Sequence, residues 1–205
     1  MNNEIIEIQK SNALAAYDAA REAGADSTMK VLEALFGEET FKPKDVTERI
    51  KTFEDACREL GDDHQFVLAY KELLRTATKE NVFLEAYGLD MVAYMKLRII
   101  CAALNEGWIP QYIAGERRYY PWFWLYTEQE IQDMDEEEKI DRRLIPTGDY
   151  RTGYAGFACA HSTYAPSNAI ANVGSRLCLK SEALAVYCGK QFIDIWADFN
   201  LIRRR

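Results

Sequence analysis

The chain has 205 residues, of which 48% are apolar and 12% aromatic, and its formal net charge is −8. This length and apolar content predict one large folded domain or two small ones, and they exclude disorder of the whole chain. The negative charge argues against a general DNA- or RNA-binding protein, which needs a basic face, but it leaves room for local basic pockets.

The sequence carries no signal for membrane insertion or secretion. No apolar run approaches the roughly 20 residues that a membrane span requires, and the N-terminal MNNEIIEIQK lacks the composition of a signal peptide. The five cysteines are scattered and never form a CxxC pair, which is typical of reduced cytosolic thiols packed as small hydrophobic side chains. We therefore expect a cytoplasmic protein that does not contact membranes.

The first part of the chain, residues 1–107, has the periodicity of a helical module. It predicts five helices, over residues 3–23, 28–36, 46–60, 63–75 and 89–104. The third begins after Asp45, with Glu48 in a box-like cap. The fifth is apolar nearly all round, which is typical of a helix at the centre of a bundle, and Asn105 to Gly107 end it. A polar joint is expected at 76–81.

The second part, residues 108–205, changes character. The aromatic and proline residues up to Tyr126 predict an extended or turning chain that lies across a hydrophobic surface. Thr127 with Glu130 predicts the capping box of a short helix, and Asp135 predicts the cap of another. The eight acidic residues from Glu128 to Asp141 are interpreted as a solvated acidic face, because they lack the spacing of a calcium loop.

Helical periodicity is lost from about residue 144 to residue 180. The segments GFACAH (156–161) and VGSRLCLK (173–180) alternate like short strands, and APSN between them is a turn signal. Ser181 then caps one final helix with an apolar face from Leu184 to Phe199, and the terminal RRR is expected to be solvated. The predicted fold is therefore α+β, mainly α-helical, with a small β-ribbon near residues 150–180 packed on the C-terminal helix, and the two parts form one globular unit.

A set of arginines, aromatics and small polar residues predicts a ligand pocket in the second part. Arginine forks bind phosphate or carboxylate, aromatic rings stack on planar bases, and backbone N–H groups of glycine-rich loops add anion contacts. The predicted ligand-binding residues are Arg117, Arg118, Tyr119, Tyr120, Trp122, Trp124, His161, Ser162, Tyr164, Ser175 and Arg176. The alternative is that the aromatics are core and that the arginines pair with the acidic segment.

Catalytic signatures are not found. There is no GxSxG elbow, no P-loop and no Rossmann glycine pattern. Cys159 and His161 are two residues apart on a predicted strand, so a Cys–His pair on one face is geometrically allowed, and a cysteine-dependent enzyme is the least favoured hypothesis. His64 and His161 stand alone, which argues against zinc. We predict a protein that is not an enzyme and uses no metal or cofactor.

Four blocks carry a resemblance to a known family. They are FKPKDVTERIKTFEDACRELG, KLRIICAALNEGW, RYYPWFWLYTEQEI and GSRLCLKSEALAVYCGKQFIDIWADF, and the resemblance spans residues 36–202. They resemble uncharacterised proteins of phages and prophages of gut Bacteroides, in which the segment that is Ala158 to Val173 here varies. The family has no established activity, so the resemblance implies a viral origin rather than a mechanism.

A phage origin favours an accessory factor that acts in the bacterial host cell. The expected function is non-enzymatic binding of a small anionic ligand, a cyclic nucleotide immune signal, which the protein would sequester as a sponge that inhibits anti-phage defence. Such sponges are often symmetric, so we expect a homo-oligomer. The alternative is a virion or protein-interaction protein whose variable loop recognises a protein partner.

Overall fold

The computed structural model describes residues 7–80, 82–111, 113–166 and 175–204. It confirms the mainly helical α+β fold, with ten α-helices and a three-stranded antiparallel sheet in that part of the chain. The chain divides into two compact units, residues 1–45 and 46–205, so residue 107, where the sequence changes character, lies inside the second unit. Across the described residues, no helix is both long and apolar enough to cross a membrane.

The first unit is a helical hairpin. Helix α1 (Lys10–Glu22) and helix α2 (Asp26–Phe36) are followed by a 3-10 turn at Glu38–Thr40. Tyr17 of α1 stacks on Phe41 with ring centroids 4.3 Å apart, and its hydroxyl donates to Oε1 of Glu33 at 2.5 Å. These contacts hold the two helices of the hairpin together.

The second unit begins with two helices where the sequence predicts a single one over 46–60. Helix α3 (Val46–Arg49) ends before helix α4 (Phe53–Leu60) because Thr52 and Asp55 form a capping box that starts a new helix. The carbonyl oxygens freed by the break are satisfied from another helix. The Tyr187 hydroxyl donates to the oxygen of Ile50 at 2.6 Å, and Gln191 Nε2 donates to that of Lys51 at 2.7 Å.

Helix α6 is the centre of the second unit, as its apolar periphery predicts. It follows helix α5 (Gln65–Glu80), spans Val82–Leu104 and kinks at Gly88, where φ is +74°. Helix therefore continues where a polar joint was predicted, up to residue 80. Leu97, Ile100 and Leu104 are fully buried, because α6 packs against α4, α5 and the C-terminal helices.

The sheet consists of β1 (Arg117–Tyr126), β2 (Ile145–Pro146) and β3 (Gly156–Pro166), in the order β1-β3-β2. Two short capped helices, α7 (Glu128–Asp133) and α8 (Glu136–Asp141), lie between β1 and β2, as the caps at Thr127 and Asp135 predict. The predicted second ribbon strand at 173–180 is wrong in its described part, because Ser175–Leu177 is a 3-10 turn. The partner of β3 is instead the aromatic segment 117–126, whose aromatic residues favour a strand.

A buried asparagine joins the end of α6 to the segment that follows this 3-10 turn. Asn105 is 6% exposed; its Nδ2 donates to the oxygen of Cys178 at 2.9 Å, and its Oδ1 accepts from the N–H of Lys180 at 2.9 Å. Leu179, between these two residues, exchanges both backbone hydrogen bonds with Tyr119 of β1. The amide side chain therefore positions a short strand-like segment against the sheet.

Two helices stand where one final helix was predicted. Helix α9 (Glu182–Gln191) starts at the Ser181 cap as predicted, and helix α10 (Ile193–Asn200) follows a break at Phe192. The break turns α10 so that Trp196 packs against Phe123 of β1, with ring centroids 5.4 Å apart.

The described terminal arginines, Arg203 and Arg204, are exposed as predicted, but their backbone is held by other residues of the second unit. Arg204 N–H donates to the Asp149 oxygen at 2.7 Å, and Ile202 accepts from Arg151 N–H at 2.7 Å. Residues 202–204 therefore lie against the loop at 149–151 through backbone hydrogen bonds.

Replacing Asn105 with alanine tests its role as a joint. Asn105→Ala leaves the Cys178 oxygen and the Lys180 N–H without their side-chain partner, so we expect a loss of about 3 kcal/mol in the free energy of unfolding. Tryptophan fluorescence during urea unfolding measures this loss in the second unit, which contains all four tryptophans. Asn200→Ala is the control, because its amide donates to Trp196 within one helix. Equal losses of unfolding free energy in the two variants would contradict the role of Asn105 as a joint.

Gly189 is a point of close approach between α9 and the sheet. A Cβ at this position would lie 2.6 Å from Cys159 Sγ and 2.8 Å from Pro121 Cβ. The overlap outweighs the helical preference for alanine, so we expect Gly189→Ala to lose about 1–2 kcal/mol of unfolding free energy. In the control Gly153→Ala the new Cβ meets nothing within 4 Å. A Gly189→Ala protein that is as stable as this control would show that α9 can move away from the sheet at no cost.

Candidate functional site

The alternation of β1 divides its side chains between two faces of the sheet. Phe123 and Leu125 point towards the core, where Phe123 stacks on Phe157 with ring centroids 4.8 Å apart. The even-numbered residues Arg118, Tyr120, Trp122, Trp124 and Tyr126 point the other way, to what is called here the outer face. Each shares that face with its partner on β3, for example Trp122 with His161.

One end of the outer face is covered. Arg118 is fully buried and Tyr120 is 8% exposed, and Tyr120 packs with Cys178 and Trp108. Burial raises the pKa of the Cys178 thiol to about 11, while the nearby Arg118 charge acts to lower it. Arg118 and Tyr120 are therefore part of the protein interior.

The other end of the outer face is covered by the acidic helices. Ile131 of α7 and Leu144 fill the space beside Gly156, since a Cβ there would lie 2.8 Å and 2.7 Å from their Cδ1 atoms. Arg142 donates to the Tyr126 hydroxyl at 3.0 Å and pairs with Glu138 at 2.9 Å. Acidic side chains therefore flank this end, with one arginine next to the strand.

The middle of the outer face is open. Trp122 is 46% exposed, Trp124 is 53% exposed, and His161 is exposed and stacked on Trp122 with ring centroids 5.9 Å apart. These three residues, called here the tryptophan platform, form an exposed group of aromatic side chains between two covered ends. Planar faces of this kind stack on aromatic rings, and the indole N–H groups can donate hydrogen bonds.

The predicted ligand residues separate into groups. The structure brings Trp122, Trp124 and His161 together and buries Arg118 and Tyr120. The others are placed as follows: Arg117 is exposed at the start of β1, Tyr119 and Ser162 are half-buried with the core-facing alternation, and Arg176 is exposed in the 3-10 turn. The side chains of Tyr164 and Ser175 lie outside the described part, as does the loop 167–174.

Cys159 and His161 do not share one face, although simple strand alternation would allow it. The pairing shifts between Trp122 and Phe123, so Ala160 is an extra residue that places His161 on the outer face and Cys159 opposite the core-facing Phe123. Cys159 is fully buried, and burial raises the pKa of its thiol to about 11. A sequence pattern does not reveal such a bulge, because the bulge depends on the partner strand.

A cleft at the C-terminus was missed by the sequence analysis. It has a volume of about 1010 Å³ and is lined by residues 88–90 and 198–204. On its wall, Asp198 accepts from the Tyr150 hydroxyl at 2.8 Å and pairs with Arg203 at 2.7 Å. Burial and the Asp198 contact raise the pKa of Tyr150 to about 12. These neutralising contacts favour a structural role for the charges here.

Neither metal-binding side chains nor similar proteins indicate a function for this chain. Among the described residues, no three His, Cys, Asp or Glu side chains are grouped so that they could hold a metal ion. Comparisons of the chain with protein-family models, curated proteins and solved structures find no match.

The reactivity of the cysteines reports on the placement of Cys159 and Cys178. Both are buried with a pKa of about 11, whereas Cys57 is half-buried. Thiolate is the reactive form, so we expect iodoacetamide at pH 8 to modify Cys57 first and the other two only after unfolding in guanidinium. Mass spectrometry of peptides measures the order. Fast modification of Cys159 in the native protein would contradict the buried strand.

Proposed function

We propose that this protein binds a small anionic ligand with a planar ring, a nucleotide signal, and holds it without chemical change. The ring stacks on the tryptophan platform of Trp122, Trp124 and His161. The observation that carries the proposal is the half exposure of two tryptophans on a sheet face that is covered at both ends. Stacking of a base on such side chains contributes about 1–3 kcal/mol per base.

Charge gives the ligand an orientation. The acidic helices α7 and α8 adjoin the Tyr126 end of the platform, where the pairing of Arg142 with Glu138 leaves little net positive charge. Arg117 is exposed at the other end of the strand, and Arg176 is exposed in the turn before Leu177. The phosphate groups therefore point towards the Arg117 end, away from the carboxylates, because like charges repel across a few ångströms.

The biological setting in this proposal comes from the resemblance to phage proteins. A phage accessory protein that sequesters a cyclic nucleotide immune signal in the cytoplasm of the infected cell would lower the free signal and inhibit anti-phage defence. Sequestration needs tight binding and no turnover. The buried thiol of Cys159, on the opposite face of the sheet from the exposed His161, is consistent with a binding protein.

A panel of nucleotides tests the proposal. We expect one or more cyclic di- or trinucleotides to raise the melting temperature by several degrees and to quench tryptophan fluorescence, because binding to the native state stabilises it. Trp124→Ala should weaken binding by about 5- to 100-fold, which corresponds to the loss of one stacked base.

Two further variants make the test specific. Tyr154→Ala removes an aromatic of similar exposure, 47%, that is not part of the platform, and should leave affinity unchanged. Arg176→Ala tests the predicted phosphate contact. If no nucleotide changes the melting temperature or the fluorescence, or if Trp124→Ala binds as tightly as the unaltered protein, the proposal fails.

A further inference from the structure

Strand β1 forms an edge of the sheet, because β3 lies between β1 and β2. The other edge of β1 is occupied at one residue, where Tyr119 exchanges both backbone hydrogen bonds with Leu179. From Pro121 to Tyr126 no described segment pairs with that edge. A long aromatic strand with a free edge is a template for pairing with another strand.

The direction of the peptide groups follows from the pairing of Tyr119. In an antiparallel sheet successive residues direct their N–H and C=O alternately to the two neighbours. The N–H and C=O groups of Tyr119 point away from β3, so those of Phe123 and Leu125 also point away from β3. Among the described residues, these groups of Phe123 and Leu125 have no hydrogen-bond partner. The carbonyl oxygen of Pro121 also points away from β3, and Pro121 has no N–H, which is typical of prolines in edge strands.

The length of the free edge of β1 suits pairing with the same edge of a second copy of the chain. It lies between Tyr119, where Leu179 is paired, and Thr127, where the chain turns into α7. Phe123 is the midpoint of these two limits. An antiparallel pairing centred on Phe123 places Tyr119 opposite Thr127 of a second copy. The β1 strand of one copy then turns into α7 at the point where Tyr119 of the other copy is already paired with its own Leu179.

We infer that two copies of this chain pair through the free edge of β1, antiparallel and centred on Phe123, to form one continuous sheet. Phe123 then exchanges two hydrogen bonds with its equivalent, and the Leu125 N–H of each copy donates to the Pro121 oxygen of the other. Because Pro121 has no N–H, the Leu125 oxygen of each copy accepts no hydrogen bond across this pairing.

The same register explains the two exposed tryptophans. It places Trp122 of one copy directly opposite Trp124 of the other in non-hydrogen-bonded pairs, whose Cβ atoms approach to about 5 Å. Four indoles then form a two-by-two cluster on the outer face. The charges agree as well, because the exposed Arg117 before this stretch comes near the acidic first turn of α7, with Glu128, in the second copy.

Pairing at the edge leaves the outer face open, so the two tryptophan platforms become a single twofold surface. A ligand with two planar rings could then span both copies, a consequence that rests on the proposed function. The pairing itself does not depend on it, and measurements without nucleotide distinguish the failure of one from the failure of the other.

Sedimentation velocity of the ligand-free protein is the first test. We expect a concentration-dependent species of twice the chain mass of 23.6 kDa. Hydrogen exchange provides a second readout, since the amides of Phe123 and Leu125 should become protected as the concentration rises. A protein that stays monomeric with rapidly exchanging amides of Phe123 and Leu125 would overturn the inference, and a strand from a foreign protein would then be the remaining occupant of the edge.

Charge-swapped variants test the register. In Trp122→Glu with Trp124→Glu, acids face acids across the twofold, so we expect monomers. In Trp122→Lys with Trp124→Glu, each lysine faces a glutamate and the dimer should return, whereas registers centred on residue 122 or 124 would oppose like charges.

Ile140→Glu is the matched control, because Ile140 is 70% exposed and lies outside the sheet. It should dimerise like the unaltered chain. Circular dichroism confirms that each variant folds, and equal self-association of the two doubly charged variants would overturn the proposed pairing.

Discussion

The two hydrogen bonds of the Asn105 amide are the contact on which the arrangement of the second unit depends. They hold residues 178–180 at the end of α6, and so they place Leu179 where it pairs with Tyr119 on the edge of β1 opposite β3. A buried amide has no good alternative partner, so this geometry excludes other positions of the segment. The Glu106 carboxylate next to it strengthens the joint by accepting from Lys180 at 2.6 Å.

The position of Leu179 has consequences for the sheet surface. The adjoining Cys178 packs with Tyr120 and Trp108 and so covers one end of the outer face, while Leu179 occupies the β1 edge at Tyr119. Both the tryptophan platform and the free edge of β1 therefore begin just after Tyr119 and Tyr120, the residues that Cys178 and Leu179 cover. The segment at 178–180 limits both the tryptophan platform and the free edge of β1, so both lie in the stretch from Pro121 to Tyr126.

Much of the fold could be read from local patterns, and the misses have a common cause. The caps at Thr127, Asp135 and Ser181 and the central helix α6 were predicted because they depend on neighbours within one helix. The breaks at 50–52 and at Phe192 were missed. Their apolar residues continue a helical pattern, and the distant side chains of Tyr187 and Gln191 satisfy carbonyls that the first break exposes.

The sequence by itself determined the class of fold, the capped helix starts at Thr127, Asp135 and Ser181, and the aromatic composition of the candidate site, because caps and periodicity act over a few residues. Only the tertiary structure decided that 117–126 is the partner of β3, that Arg118 is buried while Trp122 and Trp124 are open, and that a bulge separates Cys159 from His161. These depend on strand register and on which segment covers which face. Register is set by contacts between residues about 40 apart in the chain, and no local pattern records them.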